Sequence, residues 1–195
     1  MPTLKIVSGL AASLLLWTLL LCQPLQAASR TVADISFEES ASIDGHQVLL
    51  RGVALLRWLN IFKVYVAALY LPEGSASNDV LADIPKRLEI SYLVSIPGPD
   101  FGKGAEAVLE RNILPDELAR LRNRIDRLNA AYLDVKPGDR YALTYAPGKG
   151  TELSYNGRPL IFIEGADFAA AYFAIWLGED PIDGEMRSKL VNGEK

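Results

Sequence analysis

The chain has 195 residues, half of them hydrophobic, and a formal net charge of −4. This length suits one domain, because ~100–200 residues per domain is usual. The acidic balance argues against a nucleic-acid partner, since phosphate binding requires a clustered positive field. With one cysteine, Cys22, and one histidine, His46, we expect neither a metal site nor a bound cofactor.

Residues 1–27 have the pattern of a secretory signal peptide. A basic residue precedes the apolar run 10–21, and small residues follow it around Ala27 and Ala28. The run is short for a transmembrane span, so we expect cleavage after Ala27 or Ala28 and export, to the periplasm or otherwise out of the cytoplasm. Residues 28–195 are then one domain without cysteine and without a membrane span.

The segments 35–43 and 47–52 are predicted strands. Asp44-Gly45 between them indicates a hairpin turn, because both residues tolerate positive φ. After them, 61–71 is an almost continuous apolar run rich in β-branched and aromatic residues. We interpret this run as a central strand that is buried on both faces.

Three polar side chains stand out around this central strand. Arg57 lies in the otherwise apolar stretch 53–59, and a guanidinium that goes inside requires an anion or several acceptors. Alternation along a strand places Lys63 and Tyr65 on one face. Together these residues indicate a pocket for an acidic ligand.

The rest of the chain continues with strands, then helices, then strands, then helices. The patterns predict strands over 87–96, 141–146, 151–155 and 160–164, and helices over 102–112, 116–132, 168–177 and 183–191. Within 116–132 apolar residues recur at helical spacing and predict a buried stripe: Leu118, Leu121, Ile125, Leu128 and Tyr132. Asn156-Gly157 indicates a second tight hairpin. This order predicts an α+β domain whose mostly antiparallel sheet carries helices on one side.

Four pieces of sequence, in this order, resemble the chalcone isomerase-like family in its bacterial exported branch. They are LLRGVALLR ahead of FKVYVAALYLP, AEAVLERN, VKPGDRYALTYAPGKGTELSYNGRPL and DFAAAYFAIWLGEDPID, within a core spanning roughly residues 37–191. The resemblance implies an open-faced sandwich: a large antiparallel sheet, a helical layer, and a ligand cleft between them. This expectation agrees with the fold class derived from the patterns.

The resemblance also implies site residues. In the plant enzymes of the family, which cyclise a chalcone, an arginine and an asparagine belong to the active site, and Arg57 and Asn112 match them. The enzymes' further polar positions fall at Tyr65, Ala105 and Ile175, and the last two are apolar. Each missing polarising group typically costs ~10²–10³ in rate, so the resemblance favours a non-catalytic protein.

The family's fatty-acid-binding branch carries an arginine and a tyrosine at the positions of Arg57 and Tyr65. A guanidinium with a phenol donor suits a carboxylate, and Lys63 on the same face adds charge. We therefore expect a small acidic amphiphile, such as a fatty acid, to bind at Arg57 and Tyr65, with Lys63 and Asn112 nearby.

Three alternatives to this site remain open at this stage. In one, Arg57 pairs with an internal carboxylate and Tyr65 is an ordinary core residue. In the second, the protein is an isomerase or intramolecular lyase acting on a phenolic or enone substrate through Arg57 and Asn112. In the third, it is a structural or interaction protein of the periplasm with no open cleft.

Overall fold

The computed structural model describes residues 28–59 and 61–193; the predicted leader at residues 1–27 lies outside this range. Nine strands and four helices alternate along it. The strands are β1 (Ser29–Val32), β2 (Ile35–Glu38), β3 (Ser40–Ile43), β4 (His46–Trp58), β5 (Phe62–Leu71), β6 (Lys86–Tyr92), β7 (Arg140–Ala146), β8 (Gly150–Tyr155) and β9 (Arg158–Ile163). The helices are α1 (Gly98–Asn112), α2 (Pro115–Asn129), α3 (Ala166–Leu177) and α4 (Gly184–Asn192).

Strands β3 to β9 form one seven-stranded sheet in chain order, and each pairing in it is antiparallel. Strands β1 and β2 make a separate hairpin. The predicted tight turns are present: Asp44 and Gly45 have φ of 49° and 78°, and Asn156 and Gly157 have φ of 47° and 78°. The α+β class with an antiparallel sheet is therefore confirmed.

Strand β4 is longer than the sequence pattern predicts. It continues past the predicted end at Gly52 as far as Trp58, and it pairs with β5 along this whole length. Two register shifts interrupt the pairing, and they leave Arg51 and Val64 without a partner across the ladder. Such bulges bend a strand and redirect its side chains. The bulge at Val64 affects which side chains of β5 line the site described below.

The sheet has a hydrophobic cluster on each face. On one face Tyr65, Ala67 and Leu69 pack with residues from all four helices. On the other face Val66 and Ala68 pack with residues of β2, β3 and β4. Strand β5 is thus buried on both faces along most of its length, as predicted, because helices cover one face and the curled end of the sheet covers the other.

The helical layer follows from simple sequence features. Four residues of the predicted apolar stripe are buried in α2, namely Leu118, Leu121, Ile125 and Leu128, whereas the fifth, Tyr132, lies beyond the end of the helix. Asp183 caps α4, since its carboxylate accepts a hydrogen bond from the Met186 amide at 2.6 Å. Helix α4 lies so close to β4 that a Cβ built on Gly52 would collide with helix carbonyl oxygens.

One prediction about the central strand was wrong at its beginning. Ile61 and Phe62 are not buried but are 70% and 58% exposed. The β4–β5 hairpin extends beyond the helices that cover the sheet. The apolar residues at the beginning of β5 therefore have no helix packed against them. Of the described helices, none is both long and apolar enough to cross a membrane.

Candidate functional site

A mostly apolar cavity of about 210 Å³ lies between the sheet and the helical layer. Its floor comes from β5, β6, β7 and β8, and its roof comes from α1 and α3. The residues lining it are Leu56, Val64, Tyr65, Leu88, Ile90, Tyr92, Ile96, Asp100, Phe101, Gly104, Ala105, Tyr132, Tyr141, Leu143, Leu153, Tyr172, Ile175, Trp176 and Ile182. Such an enclosed apolar space with a few polar groups is typical of small-molecule sites.

The position of the cavity depends on the bulge in β5. Tyr65 lies opposite Leu56 on one side and opposite Tyr92 on the other. Because Val64 is skipped in the pairing with β4, the alternation breaks there, and both Val64 and Tyr65 line the cavity. The rings of Tyr65 and Tyr92 meet edge to face, with centroids 5.7 Å apart.

Three of the five cavity tyrosines use their hydroxyls inside the protein. The Tyr141 hydroxyl donates to the Leu133 carbonyl at 2.9 Å and accepts from the Leu133 amide at 2.6 Å. The Tyr172 hydroxyl donates to Asn129 Oδ1 at 3.0 Å and lies 3.3 Å from the Tyr132 hydroxyl. The Tyr141 bonds tie β7 to the chain after α2, and the Tyr172 bonds tie α3 to the end of α2. They leave these hydroxyls little capacity for a ligand.

The other two tyrosines, Tyr65 and Tyr92, have hydroxyl hydrogens without a protein acceptor among the described residues. The Tyr65 hydroxyl accepts a hydrogen bond from Trp176 Nε1 at 3.0 Å, so its own hydrogen remains available. Burial raises the pKa of both hydroxyls above the ordinary tyrosine value. Both groups therefore stay protonated at neutral pH and can donate hydrogen bonds into the cavity.

The charge distribution limits what the cavity can hold. Asp100 is the one charged residue among the lining residues, and it is exposed to solvent. No lysine or arginine of the described chain is among them. A buried carboxylate anion would therefore find neutral donors but no cation, and burying an unpaired charge is costly.

The predicted clamp of Arg57 and Tyr65 does not form one pocket. Arg57 is exposed and lines a separate groove of about 230 Å³ beside β4, together with Asp183, Glu185 and Lys189. The reason is the unexpected length of β4. Leu56 lines the cavity, so the next residue along the strand contributes its side chain elsewhere.

Lys63 also lies outside the cavity lining, and it is exposed directly opposite Arg57 in the β4–β5 ladder. The prediction that Lys63 shares a face with Tyr65 fails because the bulge at Val64 separates them. The two cations are therefore neighbours of each other and not partners of Tyr65. The alternative in which Arg57 is paired internally is also not found, because Arg57 makes no ion pair within the described part of the chain.

Asn112 connects the end of α1 to the loop after α3 and does not line the cavity. Its Nδ2 donates to the carbonyl oxygens of Asp180 at 2.7 Å and Val108 at 2.9 Å, and its Oδ1 accepts from the Asp180 amide at 3.1 Å. Both ends of the side-chain amide are thus occupied by protein groups. Asn112 positions the loop after α3, a structural role that the sequence pattern did not indicate.

The two positions that argued against catalysis do meet at the cavity. Ala105 comes from α1 and Ile175 from α3, and both line the space beside Tyr65. Sequence reasoning missed Tyr92 and Trp176, which complete the polar end of the cavity. Tyr92 lies within a predicted strand and Trp176 belongs to an apolar helix, so only their placement distinguishes them from ordinary core residues.

A buried lysine lies outside the cavity. Lys86 is fully buried, and its Nζ donates to the Ala82 carbonyl at 2.5 Å and lies 5.4 Å and 5.7 Å from the ring centroids of Tyr145 and Phe173. Burial lowers the pKa of Lys86 to about 8, although nearby Asp83 opposes the shift. Within the described range, no group of three or more histidine, cysteine or acidic residues has a metal-binding arrangement.

Comparison with known proteins identifies the fold and its relatives. The family model described as chalcone isomerase-like matches residues 29–192. Among solved structures, a fatty-acid binding protein of Arabidopsis thaliana superposes with a TM-score of 0.65 at 16% sequence identity, covering 85% of this chain and 96% of that chain. No curated protein matches the sequence.

Proposed function

This chain belongs to the chalcone isomerase-like family, and on that premise we propose that it binds a small amphiphile, such as a fatty acid, without transforming it. The ligand's apolar part occupies the cavity between sheet and helices. Its carbonyl or carboxyl group accepts hydrogen bonds from Tyr65 and Tyr92.

The observation that carries this proposal is the distribution of hydrogen-bonding capacity in the cavity. Most of the lining is apolar, and the hydroxyls of Tyr132, Tyr141 and Tyr172 are engaged within the protein. Two unused donors, from Tyr65 and Tyr92, stand side by side on neighbouring strands. A core that served only for packing would have neither an empty cavity nor two unpaired hydroxyl donors, because buried polar groups normally form hydrogen bonds.

The size of the cavity favours a slender ligand. Ligand pockets usually have volumes of roughly 300–1,000 Å³, whereas this one measures about 210 Å³. An engineered cavity of ~150 Å³ holds benzene, so a short acyl chain or a single ring fits here. A two-ring chalcone would require the helical layer to move.

The chemistry of the donors favours an uncharged or hydrogen-bonded head group. Tyrosine hydroxyls are neutral donors, and each bond to a ligand contributes about 0.5–1.5 kcal/mol, or ~1.5–3 kcal/mol when the acceptor is charged. With no cation in the lining, a fatty acid whose head group reaches Tyr65 and Tyr92 binds with its carboxyl group protonated. Arg57 and Lys63 take no part in this head-group contact.

The alternative functions are weaker. An isomerase acting on an enone would require polarising groups where Ala105 and Ile175 present only hydrocarbon. A purely structural protein would not retain an apolar cavity of this size, since cavities reduce stability by ~24 cal/mol per Å³. Absence of activity toward naringenin chalcone, with rates equal to those in buffer, is the outcome expected of a binding protein.

Titration with hexanoic, decanoic and palmitic acids and with decanol, followed by calorimetry and native mass spectrometry, tests the proposal. We expect one ligand per chain, tighter binding of the shorter chains, and a loss of about 2- to 12-fold in affinity for Tyr65→Phe, the value of one neutral hydrogen bond. Tyr92→Phe has the same expected effect.

Tyr141→Phe is the matched control. It removes a hydroxyl from the same cavity lining, but that hydroxyl is bonded to Leu133. It therefore lowers stability without selectively weakening ligand binding. Equal affinities of all four ligands for the unaltered protein and Tyr65→Phe, or no binding at all, would refute the proposal.

We also propose that the protein acts outside the cytoplasm after removal of residues 1–27. The support is the pattern of the leader, with a basic start, an apolar run and small residues before Ala28. Expression of the full chain in a bacterium, followed by cell fractionation and N-terminal sequencing, tests this. A cytoplasmic protein that retains Met1 would contradict it.

A further inference from the structure

The end of the β4–β5 hairpin exposes an unusual group of large apolar side chains. Trp58, Leu59, Ile61 and Phe62 are 63%, 66%, 70% and 58% exposed, and we call these four residues the hairpin tip. The rings of Trp58 and Phe62 face each other across the ladder, with centroids 6.2 Å apart. Single exposed apolar residues are normal, but a contiguous group of them indicates a contact surface.

The turn chemistry of the tip differs from that of the two turns built on Asp-Gly and Asn-Gly. Two tight turns consist of Asp44-Gly45 and Asn156-Gly157, residue types that tolerate the positive φ of these positions. At the hairpin tip a leucine, Leu59, takes a φ of 52°. A bulky residue in the left-handed region is disfavoured, so the sequence keeps an apolar side chain there at a conformational cost.

Two cations stand directly behind the tip. Arg57 and Lys63 are opposite each other in the ladder, and both are exposed. Like charges directly opposite each other destabilise a strand pair, and a negatively charged partner would remove this repulsion. The hairpin thus presents apolar side chains at its end and positive charge one residue behind them on each strand.

We propose that the hairpin tip inserts into an anionic lipid bilayer. The order of its residues matches the change in polarity from the acyl chains of one leaflet to its phosphates. The apolar side chains reach the acyl region, the aromatic rings occupy the interface, and the cations contact the lipid phosphates. A narrow, convex hairpin end enters a fluid bilayer without needing a complementary pocket. A protein partner would instead require a matching concave surface.

The tip also adjoins the cavity. Leu56 and Val64, the residues behind Arg57 and Lys63 on each strand, line the cavity and are only partly buried. Ile182, another lining residue, is 40% exposed. Docking through the tip therefore brings the side of the cavity lined by Leu56 and Val64 toward the bilayer. This inference goes beyond ligand binding and does not depend on it.

Vesicle co-sedimentation tests the proposal with residues 28–195, which contain every described strand and helix and both hydrophobic clusters. This form avoids the apolar run 10–21, which would bind bilayers by itself. We expect binding to phosphatidylglycerol–phosphatidylethanolamine vesicles to exceed binding to phosphatidylcholine vesicles and to weaken as salt is added.

Two pairs of substitutions separate the apolar and the charged contributions. Trp58→Ser with Phe62→Ser lowers affinity for anionic vesicles about tenfold or more, since two partly inserted aromatic side chains lose their burial. Arg57→Gln with Lys63→Gln lowers it by about 25-fold, at roughly fivefold per cation. The second pair also abolishes the salt dependence and the preference for anionic lipid.

The chain offers matched controls for both pairs. Leu114→Ser with Phe162→Ser removes two exposed apolar side chains elsewhere. Arg120→Gln with Lys136→Gln removes two exposed cations elsewhere, and this changes the net charge equally. Both controls retain the vesicle affinity of the unaltered protein.

Fluorescence locates the insertion. Of the three tryptophans, only Trp58 and Trp176 fall in residues 28–195, so Trp176→Phe leaves Trp58 as the single reporter. We expect its emission to shift to the blue and to be quenched by brominated lipids when anionic vesicles are added. An unchanged spectrum would place the tip outside the bilayer.

Three further outcomes overturn the proposal. One is an unaltered protein that does not sediment with anionic vesicles. Another is equal vesicle affinity of the tip variant and its control. The third is a concentration-dependent dimer that Trp58→Ser with Phe62→Ser abolishes, without vesicle binding, because the tip would then serve a second copy of the chain. Ligand binding by Tyr65→Phe is measured without vesicles, so either proposal can fail alone.

Discussion

Filling the cavity gives a sharp test of the site, because its effects on stability and on binding have opposite signs. Ala105 lines the cavity from α1 and is 7% exposed. We choose Ala105→Leu, which adds three carbons inside the cavity without adding a polar group. The side chain enters space whose lining is mostly apolar.

The magnitude follows from burial and volume. Three buried carbons at ~0.8 kcal/mol each contribute about 2.4 kcal/mol, and the restricted leucine loses about 0.5–1 kcal/mol of side-chain entropy. The free energy of unfolding therefore rises by about 1.5 kcal/mol. Three carbons displace roughly the volume of three waters, ~90 Å³ in total. This is about two fifths of the 210 Å³ cavity, so decanoic acid loses much of its site.

Urea denaturation measures the first effect, and calorimetric titration with decanoic acid measures the second. Ala107→Leu is the matched control, since Ala107 lies two residues further along the same helix and is exposed. It changes stability by less than about 0.5 kcal/mol and leaves the affinity unchanged.

Two results would refute the reasoning. If Ala105→Leu lowers the free energy of unfolding by more than about 1 kcal/mol, the region is already filled and the leucine overpacks it. If the protein is stabilised but still binds decanoic acid with unchanged affinity, the cavity exists but the ligand occupies another place.

Three further predictions concern the framework around the site. Lys86 has a native pKa of about 8, below its unfolded value of ~10.4, so the unfolded chain holds that proton more tightly and stability rises with pH between these values. In denaturation experiments the free energy of unfolding of the unaltered protein should rise by about 1 kcal/mol from about pH 7 to about pH 9, compared with that of Lys86→Met. The exposed Lys136→Met is the control. Asn112→Ala should lower the free energy of unfolding by about 1–3 kcal/mol, because it leaves the Asp180 backbone groups unpaired; a selective loss of ligand affinity at unchanged stability would instead assign Asn112 to the site. Gly52→Ala should lower the free energy of unfolding by about 1–3 kcal/mol, because the added Cβ meets backbone carbonyls of α4. Gly184→Ala, with open space around it, should be close to neutral. Equal thermal stability of the two variants would contradict the close packing at Gly52.

Local sequence patterns predicted much of the fold. Asp44-Gly45 and Asn156-Gly157 placed two hairpins, and the stripe from Leu118 to Leu128 identified the buried face of α2. These features depend on the φ preferences of single residues and on the period of one helix. Neighbours along the chain determine both, so neither needs knowledge of the rest of the molecule.

The candidate site was only partly predictable. Tyr65, Ala105 and Ile175 were singled out from the sequence, and they do meet at the cavity. Arg57 was placed with them because the family resemblance pairs an arginine with a tyrosine at these two positions, and because an arginine in an apolar stretch suggested a buried anion. Because β4 is longer than predicted and β5 has a bulge at Val64, Arg57 lines another groove. No local pattern marks a skipped residue in a strand ladder.

The amino-acid sequence by itself therefore determined the class of fold, the family, and which segments are apolar. Tertiary structure alone decided which apolar residues are covered, since Ile61 and Phe62 continue the pattern of β5 beyond the helical layer. It also decided which hydroxyls are left over, because Tyr141 is bonded to Leu133 while Tyr92 has an unused hydrogen. Covering and pairing depend on residues distant in the chain, and these come together only when the sheet and the helices pack against each other.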